Sequence, residues 1–429
     1  MTSIADAPAG AGSSLTTDEI KAEVIAWLDE HWDPSLSVTE WWKLVADAGL
    51  TAPHLEPEQG GRGWSRRSQG TVRATFGSYG ALRPPGGLGL LMAAPTILTH
   101  GTPDQIERHV RPILDGSLGW CQLFSEPGAG SDLAGLTTRA ERDGDRWIIN
   151  GQKVWSSMAA EADYGMLLAR TDFDVPKHKG ISWFAFSLDQ PGVTVRPLRE
   201  MTGDAVFNEV FFDDAVVDDA DLIGGAGNGW AVTQTTLYFE RTGIGAGGTA
   251  VTFPMGGPKG GMVGRLAGDA AQDPLPGSNM TLTFDDLLVI AREYGRDTDP
   301  HIRQKLAELA TATRLGVWNA QRGKAEAARG GGQAVAQTGK ITQTTIMKLS
   351  AEIALDILGV AGTLATPDGP QGGRFSHAQV FSAASSIYGG TDEIQRNIIG
   401  ERILGLPREP DANKGLPYGE VLRKVSVER

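Results

Sequence analysis

The sequence has very little cysteine and no long hydrophobic run. The single cysteine, Cys121, excludes a disulfide within the chain and a cysteine-rich metal site, and it suits a reducing cytoplasm, where we expect the protein to work. The seven histidines show no paired or His-Glu-x-x-His spacing, so we expect no metal. The longest apolar stretch, residues 88–98, contains Pro95 and is about half the length of a membrane-spanning helix. Residues 1–14 have neither the basic region nor the apolar core of a signal peptide.

Basic residues are also in the minority. The 39 lysines and arginines face 52 acidic residues, so the net charge is −13. This charge disfavours nonspecific binding to nucleic acid or to anionic membranes, although it allows a local basic pocket for a phosphorylated ligand. Because 429 residues are too many for one ordinary domain, we expect two or three domains in a globular protein.

The hydrophobic pattern divides the chain into three regions. Residues 1–119 are mostly helical, beginning with a capping box at Thr16–Glu19 and including helices over 38–48 and 104–114. Residues 120–226 contain short strands that predict an antiparallel β domain, with hairpin signals at Asp143-Gly144 and Asn150-Gly151. The strand candidates are 137–140, 146–149, 152–155, 164–169, 181–187, 193–198 and 209–217.

The third region, residues 227–429, is helical again, which makes the fold class α+β with several domains. Its helices are expected at 230–244, 284–294, from Pro300 onwards, around 346–357 and at 391–404. Residues 247–278 interrupt this region with a segment rich in glycine and proline. A segment of this length is usually functional or disordered. It either shapes a large pocket or a subunit contact, or it is a solvent-exposed excursion.

Two loops carry residues that are suited to ligand binding. In Glu126–Asp132, the small residues let backbone N–H groups approach a ligand closely and Ser131 adds a hydroxyl, although a tight surface loop has the same composition. In Ile387–Arg396, a glycine pair leads into a helix that Thr391 can cap, and the start of this helix either faces a phosphate or is simply capped.

Glu240 is the carboxylate that the helical pattern singles out. Trp230, Leu237 and Ile244 form one apolar stripe at intervals of seven residues, and Glu240 lies on that stripe. An apolar environment raises the pKa of a carboxyl group, which suits a general base. An exposed or ion-paired glutamate fits the same spacing.

Three segments resemble the signatures of the acyl-CoA dehydrogenase family. They are Trp120–Asp132 (Trp-Cys-Gln-Leu-Phe-Ser-Glu-Pro-Gly-Ala-Gly-Ser-Asp), Ile148–Ser157 (Ile-Ile-Asn-Gly-Gln-Lys-Val-Trp-Ser-Ser) and Ile387–Leu406. The resemblance implies an N-terminal helical domain at 1–119, a middle antiparallel β domain at 120–226 and a C-terminal four-helix bundle at 227–429. It also implies noncovalent FAD, conversion of an acyl-CoA thioester to the trans-2-enoyl-CoA, and an electron-transfer flavoprotein as acceptor.

The resemblance also implies roles for individual residues. Trp155 would lie against the isoalloxazine ring and Ser157 would bind flavin N5. All the implied flavin contacts are Gln122, Phe124, Ser125, Gly130, Ser131, Trp155, Ser157, Arg292, Thr391 and Glu393. The implied substrate contacts are Ser131, Arg241, Gly389 and Gly390.

The position of the catalytic base departs from the commonest pattern in the family. Many members have Tyr-Glu-Gly-Thr, whose glutamate is the base, where this chain has Tyr388-Gly389-Gly390-Thr391. A subset that includes isovaleryl-CoA dehydrogenase places the base just before an arginine on a bundle helix, and Glu240-Arg241 matches that alternative. Glu240 would then remove the α-proton as hydride passes to flavin N5. The backbone N–H of Gly389 would polarise the thioester carbonyl.

Further departures lie where, in the family, one subunit reaches the FAD of its neighbour. Ala291 stands where many members have arginine, with Arg292 one position away, and Asp299 and Asp356 replace other polar residues. Two assemblies remain open: a homotetramer with altered FAD contacts, or an α2β2 tetramer in which a related chain supplies the adenine half, as in relatives acting on bulky or steroid acyl-CoA esters. A same-fold flavin oxidase or monooxygenase and a noncatalytic partner subunit are the alternative functions.

Overall fold

The computed structural model describes residues 15–245, 254–273, 281–330 and 335–427. Residues 15–119 form a helical layer, as predicted. Its helices are α1 (Thr17–His31), α2 (Val38–Asp47), α3 (Ser68–Tyr79), α4 (Ala94–His100) and α5 (Pro103–Leu114). A π-helical turn at Gly89–Ala93 precedes α4. The predicted capping box is present, because the Thr16 side chain accepts from the Glu19 amide and the Glu19 carboxylate accepts from the Thr16 amide.

Eight strands of the described residues form one twisted sheet in the middle of the chain. They are β1 (Trp120–Leu123), β2 (Arg139–Asp143), β3 (Arg146–Ser157), β4 (Tyr164–Arg170), β5 (Ile181–Ser187), β6 (Val193–Leu198), β7 (Phe207–Asp218) and β8 (Leu222–Ile223). The order is β6-β7-β3-β2-β4-β5-β8, and β1 pairs with β4. The predicted antiparallel sheet is confirmed, except that β4 runs parallel to both β1 and β2.

One of the two predicted hairpins is wrong. Asp143-Gly144 does turn the chain between β2 and β3, with Asp143 opposite Arg146 and Gly144 in the left-handed region at φ 66°. At Asn150-Gly151, however, β3 runs straight on, and its register against β7 shifts between Ile149 and Gly151. The Asn150 amide instead donates to the Asp214 carboxylate on β7 at 2.9 Å, so this pair marks a β-bulge.

Helices dominate again after the sheet. They are α6 (Gly229–Gly245), α7 (Ala267–Ala271), α8 (Phe284–Glu293), α9 (Pro300–Ala328), α10 (Gly339–Leu358), α11 (Arg374–Ser382), α12 (Asp392–Ile398) and α13 (Tyr418–Val427). Four of them, α8 to α11, share one apolar core that includes Leu287, Ile302, Ile353 and Phe375. These four helices form a bundle in the C-terminal region, as expected from the resemblance.

The described part of the insertion, residues 254–273, folds back onto the first two regions. Met255 is buried in the core of the sheet domain, and Ala267 is buried against the N-terminal helices. The backbone N–H of Ala267 donates to the Leu36 carbonyl at 2.8 Å, and that of Val38 donates to the Arg265 carbonyl at 2.9 Å. This part is therefore not a solvent-exposed excursion; residues 247–253 and 274–278 lie outside the described residues.

Candidate active site

The helix that carries Glu240, α6, is anchored to α4 by buried hydroxyl groups. The Thr96 hydroxyl donates to that of Thr236 at 3.0 Å, and the His100 Nε2 lies 2.8 Å from the Thr235 hydroxyl. Thr235 and Thr236 are both almost fully buried. Because Glu240 follows Thr236 by one helical turn, this contact fixes its position relative to the N-terminal helices.

Glu240 itself lies in an apolar setting. Leu237 and Trp230, two residues of the predicted stripe, pack against the core between the N-terminal helices and the sheet; the side chain of Ile244 lies outside the described residues. Burial raises the pKa of the Glu240 carboxyl, while a hydrogen bond from Gln122 and the charge of Arg241 work in the opposite direction. A carboxylate with this environment is suited to accept a proton.

Gln122, on β1, is a hydrogen-bond partner of that carboxylate. Its Nε2 donates to Glu240 Oε2 at 3.5 Å, a long contact that joins residues 118 positions apart. The sequence predicted Gln122 only as a flavin contact. No local pattern signals the second role, because the pairing arises when β1 is placed beside α6.

The Glu-Pro-Gly-Ala turn presents an open backbone. Glu126 and Ala129 exchange N–H to carbonyl hydrogen bonds at 3.1 and 3.0 Å, which closes the turn tightly. A Cβ added at Gly128 or Gly130 would meet no atom within 4 Å, so both glycines border open space. Ser131 follows on the exposed side. The turn thus leaves room for a ligand to approach the backbone, which both predicted alternatives, a ligand-binding loop and a tight surface loop, allow.

A buried ion pair lies beneath this turn. The Lys153 ammonium, fully buried, donates to Glu126 Oε1 at 2.9 Å and to the Phe124 carbonyl at 3.0 Å. The Glu126 carboxylate also accepts from the backbone N–H groups of Thr137 and Thr138, at 2.7 and 2.8 Å. Burial raises the pKa of Glu126, but the Lys153 charge and these hydrogen bonds outweigh it and bring the pKa to about 2.

Trp155 is exposed by a second irregularity of β3. The register against β7 shifts between Lys153 and Ser156, and Trp155 adopts φ 61°, which is unusual for a bulky residue. Its side chain is 57% exposed and packs edge-on against Phe207 at 5.8 Å. Trp155 precedes Ser157 by two residues, and the backbone N–H of Val154 donates to the Ser125 carbonyl, just before the glycine turn, at 2.9 Å. An exposed tryptophan on this strand fits a flat aromatic ring with polar edges, such as a flavin.

The second signature places two glycines in conformations that other residues avoid. Gly389 and Gly390 have φ 64° and 85°. The Gln395 amide donates to the Gly389 carbonyl at 2.9 Å, and the Thr391 hydroxyl caps α12 by accepting from the Ile394 amide at 3.2 Å. A glutamate at position 389 would carry the strain of a left-handed backbone, which costs about 1–2 kcal/mol. The conformation of Gly389 therefore suits a chain that carries its base elsewhere.

Arg241 follows the base directly on α6. Burial lowers the pKa of Arg241, Glu240 opposes this shift, and the charge of Arg402, just after α12, lowers the pKa further. Of the other residues predicted on this signature, Glu393 is exposed and lies 3.7 Å from Arg396.

Arg292 and the positions at which the sequence departs from the family, Ala291 and Asp356, lie on helices α8 and α10 of the C-terminal bundle. Arg292 is exposed in the last turn of α8 and, within the part of the chain that the structure describes, forms no hydrogen bond or ion pair with the other predicted site residues. Ala291, which stands where many members of the family have arginine, is fully buried in the bundle core. The Asp356 carboxylate lies 2.5 Å from the Lys305 ammonium.

Neither a metal centre nor a membrane span is found in the described ranges. They hold no cluster of three or more His, Cys, Asp and Glu side chains that could bind a metal ion. Within the same ranges, each helix is too short or too polar to cross a membrane.

Comparison with known proteins gives matches over all three regions. Models of the N-terminal, middle and C-terminal domains of acyl-CoA dehydrogenase match residues 13–117, 121–215 and 291–404. The acyl-CoA dehydrogenase IpdE1 of Mycobacterium tuberculosis is 37% identical over 374 residues, which are 86% of this chain and 88% of that protein.

Solved structures agree with the sequence matches. A structure named Tcur3481-Tcur3483 steroid ACAD has a TM-score of 0.70 at 25% identity and covers 92% of this chain and 98% of its own. The ChsE4-ChsE5 complex from M. tuberculosis has a TM-score of 0.67 at 26% identity and covers 92% of this chain and all (100%) of its own. The likeness therefore includes the sheet, both helical regions and the order in which they follow one another.

Proposed function

The chain belongs to the acyl-CoA dehydrogenase family and is therefore an oxidoreductase that uses FAD. We propose that it converts an acyl-CoA thioester to the trans-2-enoyl-CoA with Glu240 as the base. The observation that carries this proposal is the partly buried carboxylate of Glu240 on α6, with its raised pKa, beside Gln122. FAD, when bound, supplies the acceptor for the β-hydrogen, which leaves as hydride.

Residues of this chain accept the α-proton and polarise the thioester carbonyl in the proposed reaction. Glu240 accepts the α-proton, and its raised pKa matches it better to that weakly acidic donor. The α-proton becomes acidic enough only if the thioester carbonyl is polarised by fixed donors. The backbone N–H of Gly389 is the proposed donor, and the glycine at this position keeps that N–H while it lacks a carboxylate.

The residues that would hold the flavin lie on the sheet and on the turn that follows β1. Trp155 would cover the flat ring, and Ser157 would bind its polar edge. Ser125, Gly130 and Ser131 would bind the phosphates and the sugar-like chain through backbone and hydroxyl groups. The exposed indole of Trp155 and the open space at Gly130 support this assignment.

The test is an anaerobic visible spectrum of the FAD-containing protein, purified together with a co-expressed related subunit where the chain alone holds little FAD, and titrated with acyl-CoA esters. A yellow protein that one ester bleaches is the expected result, and the ester that does so identifies the substrate class. The series includes straight-chain and steroid side-chain esters, because one relative of similar fold is named a steroid ACAD. A protein that holds FAD and that none of these esters bleaches would contradict the proposal.

The electron acceptor is tested in the same cuvette. We propose an electron-transfer flavoprotein, and a substrate-reduced enzyme that air reoxidises only slowly would support it. Rapid reoxidation by oxygen would instead indicate an oxidase or monooxygenase of the same fold.

Replacing Gln122 with leucine is expected to shift the acidic limb of the kcat profile to higher pH. Gln122 lowers the pKa of Glu240 through its hydrogen bond, so its removal leaves the raising effect of burial less opposed. Because a base works only when ionised, a higher pKa lowers kcat on the acidic side. The measurement is the rate of flavin reduction at saturating substrate between pH 5 and pH 9, roughly the range in which a raised carboxyl pKa is seen.

An unchanged acidic limb in Gln122→Leu would show that the 3.5 Å contact does not tune the base. The matched control is Gln59→Leu, a glutamine on the N-terminal surface loop, which should leave the profile as it is.

We further propose that the chain works in a heterotetramer with a related subunit that supplies the adenine half of the flavin site. The buried Ala291, the exposed Arg292 and the lysine-paired Asp356 support this proposal. Two relatives of similar fold are named as two-component assemblies, Tcur3481-Tcur3483 and ChsE4-ChsE5.

Expression of the chain alone is expected to give a protein with little FAD. Co-expression with a related subunit is expected to give an assembly with fewer flavins than chains, in which Glu240→Gln removes turnover. Flavin content and mass in solution are the measurements. A stable homotetramer with one FAD per chain would contradict the heteromeric proposal but not the reaction, and turnover retained by Glu240→Gln in the assembly would make this chain a noncatalytic partner.

A further inference from the structure

The last segment of the chain returns from the helical bundle to the sheet domain. The C-terminal family model ends at residue 404, and residues 405–427 lie beyond it. Residues 405–415 are exposed throughout, whereas Tyr418, at the start of α13, is only 6% exposed. The backbone N–H of Tyr418 donates to the Val175 carbonyl at 2.9 Å, and that of Gly419 donates to the Phe173 carbonyl at 2.8 Å. Backbone hydrogen bonds therefore dock the segment on the β4–β5 loop.

Tyr418 meets a fully buried arginine of the sheet domain there. The guanidinium of Arg170, at the end of β4, lies over the Tyr418 ring at 4.0 Å from its centre. Contacts of this kind are worth more when they are shielded from water, as this one is. Phe173 also packs against Tyr418, with ring centres 6.5 Å apart, and the same guanidinium lies 5.5 Å from the centre of the Phe173 ring.

The two side chains together hold three consecutive carbonyls of one loop. Arg170 donates to the Ala134 carbonyl at 2.7 Å through Nη2 and to the Leu136 carbonyl at 3.1 Å through Nε. The Tyr418 hydroxyl donates to the carbonyl between them, that of Gly135. These carbonyls belong to the turn that begins immediately after Ser131-Asp132.

The other end of that turn is tied to the same β4–β5 loop. The Lys177 ammonium donates to both carboxylate oxygens of Asp132, at 2.8 and 2.9 Å. The carbonyl of Lys177 in turn accepts from Arg170 Nη1 at 2.9 Å. The loop from Asp132 to Leu136 is thus fixed at both ends, and Arg170 takes part in both attachments.

We propose that the C-terminal segment is a clamp on the ligand-binding loop, and that Tyr418 and Arg170 are positioning residues for Ser131. The link from Ser131 to a ligand rests on the proposed function, whereas the clamp itself rests on the contacts above. The loop near residue 131 is then ordered only while a segment almost 290 residues further along the chain is docked on it. Ligand affinity therefore depends on that segment.

The test compares two variants with a control in the full-length protein. Tyr418→Phe removes the hydroxyl and keeps the ring over Arg170, whereas Tyr418→Leu removes both. Glu420→Gln, an exposed residue of the same helix, is the control. Amide hydrogen exchange of the peptide that covers residues 129–137 is expected to rise about fivefold in Tyr418→Phe, as for the loss of one hydrogen bond, and more in Tyr418→Leu.

A second readout separates positioning from a general loss of stability. With an acyl-CoA that bleaches the flavin, KM is expected to rise about fivefold in Tyr418→Phe while kcat stays within about twofold, because Ser131, in its implied role as a substrate contact, would bind a part of the acyl-CoA remote from the reacting carbons. Exchange of the 129–137 peptide equal to that of Glu420→Gln would overturn the clamp. If no ester is oxidised by the unmodified protein, the proposed function fails, and the exchange measurement still decides whether the clamp exists.

Discussion

Glu240→Gln is expected to remove dehydrogenase turnover while the protein keeps its flavin and its fold. Glutamine has nearly the same shape as glutamate and accepts no proton, so the α-proton loses its acceptor. Positioned general bases contribute about 10²- to 10⁴-fold in rate, and we expect the rate of flavin reduction to fall by that factor. The measurement is the anaerobic single-turnover rate with the ester that bleaches the unmodified protein.

The control for this variant is Glu107→Gln, which removes the same negative charge at an exposed position of α5. It should leave both flavin content and rate unchanged. Unchanged turnover in Glu240→Gln would remove this residue as the base. Loss of turnover together with loss of flavin would show only that the pocket had collapsed, so flavin content is measured on the same samples.

The proposed base is predictable from the sequence because its signals are local. Glu240 shares a helical face with Leu237 and Trp230, and the structure places both of these against an apolar core. The arginine that follows Glu240 and the glycine at position 389 then point to the same assignment through the resemblance. The structure adds a physical reason for the glycine, because φ at residue 389 is 64°.

The partners of these residues are not predictable in the same way. Gln122 reaches Glu240 across 118 positions, and nothing near either residue indicates the pairing. Asn150-Gly151 has the composition of a hairpin turn, but β7 pairs with both halves of β3 and turns the signal into a bulge. Long-range strand pairing overrides a local preference in this case.

Trp155 shows the same limit within one strand. Its role follows from the resemblance, but its exposure depends on a backbone with φ 61° that tryptophan does not favour on its own. Tyr418 carries no sequence signal at all, because its function depends on which carbonyls lie beneath it. Both positions depend on packing between distant parts of the chain.

Lys153→Met is expected to destabilise the sheet domain more than the loss of any surface lysine. The substitution leaves the buried carboxylate of Glu126 without the cation 2.9 Å away, and breaking a buried ion pair in this way costs about 3–5 kcal/mol. The measurement is the free energy of opening from hydrogen exchange of the β3 amides, together with flavin content. Lys179→Met, at an exposed lysine of the same domain, is the control and should change the free energy by less than about 0.5 kcal/mol.

The double variant Lys153→Met with Glu126→Gln separates charge from packing. It removes both charges, so no unpaired ion remains, and it should recover part of the stability that Lys153→Met loses. Flavin content should recover with it if the pair acts by holding the turn from Glu126 to Ala129 in place. Failure of the double variant to recover any stability would show that the aliphatic stem of Lys153, not its charge, matters.

The stability of the unmodified protein and the stability of Lys153→Met are expected to change in opposite directions as the pH falls. In the unmodified protein, the pKa of Glu126 is about 2 against an ordinary 4.5, so the ionised Glu126 carboxylate contributes stability above pH 4.5 that is lost as the pH falls towards 2. In Lys153→Met, burial is left as the main effect and raises that pKa, so protonation relieves the buried charge and stabilises the variant as the pH falls. The difference in free energy between the two proteins should therefore shrink from pH 7 towards pH 4, roughly the interval over which a buried carboxyl takes up its proton. A difference that stays constant over this interval would mean that the ionised Glu126 is not what destabilises the variant.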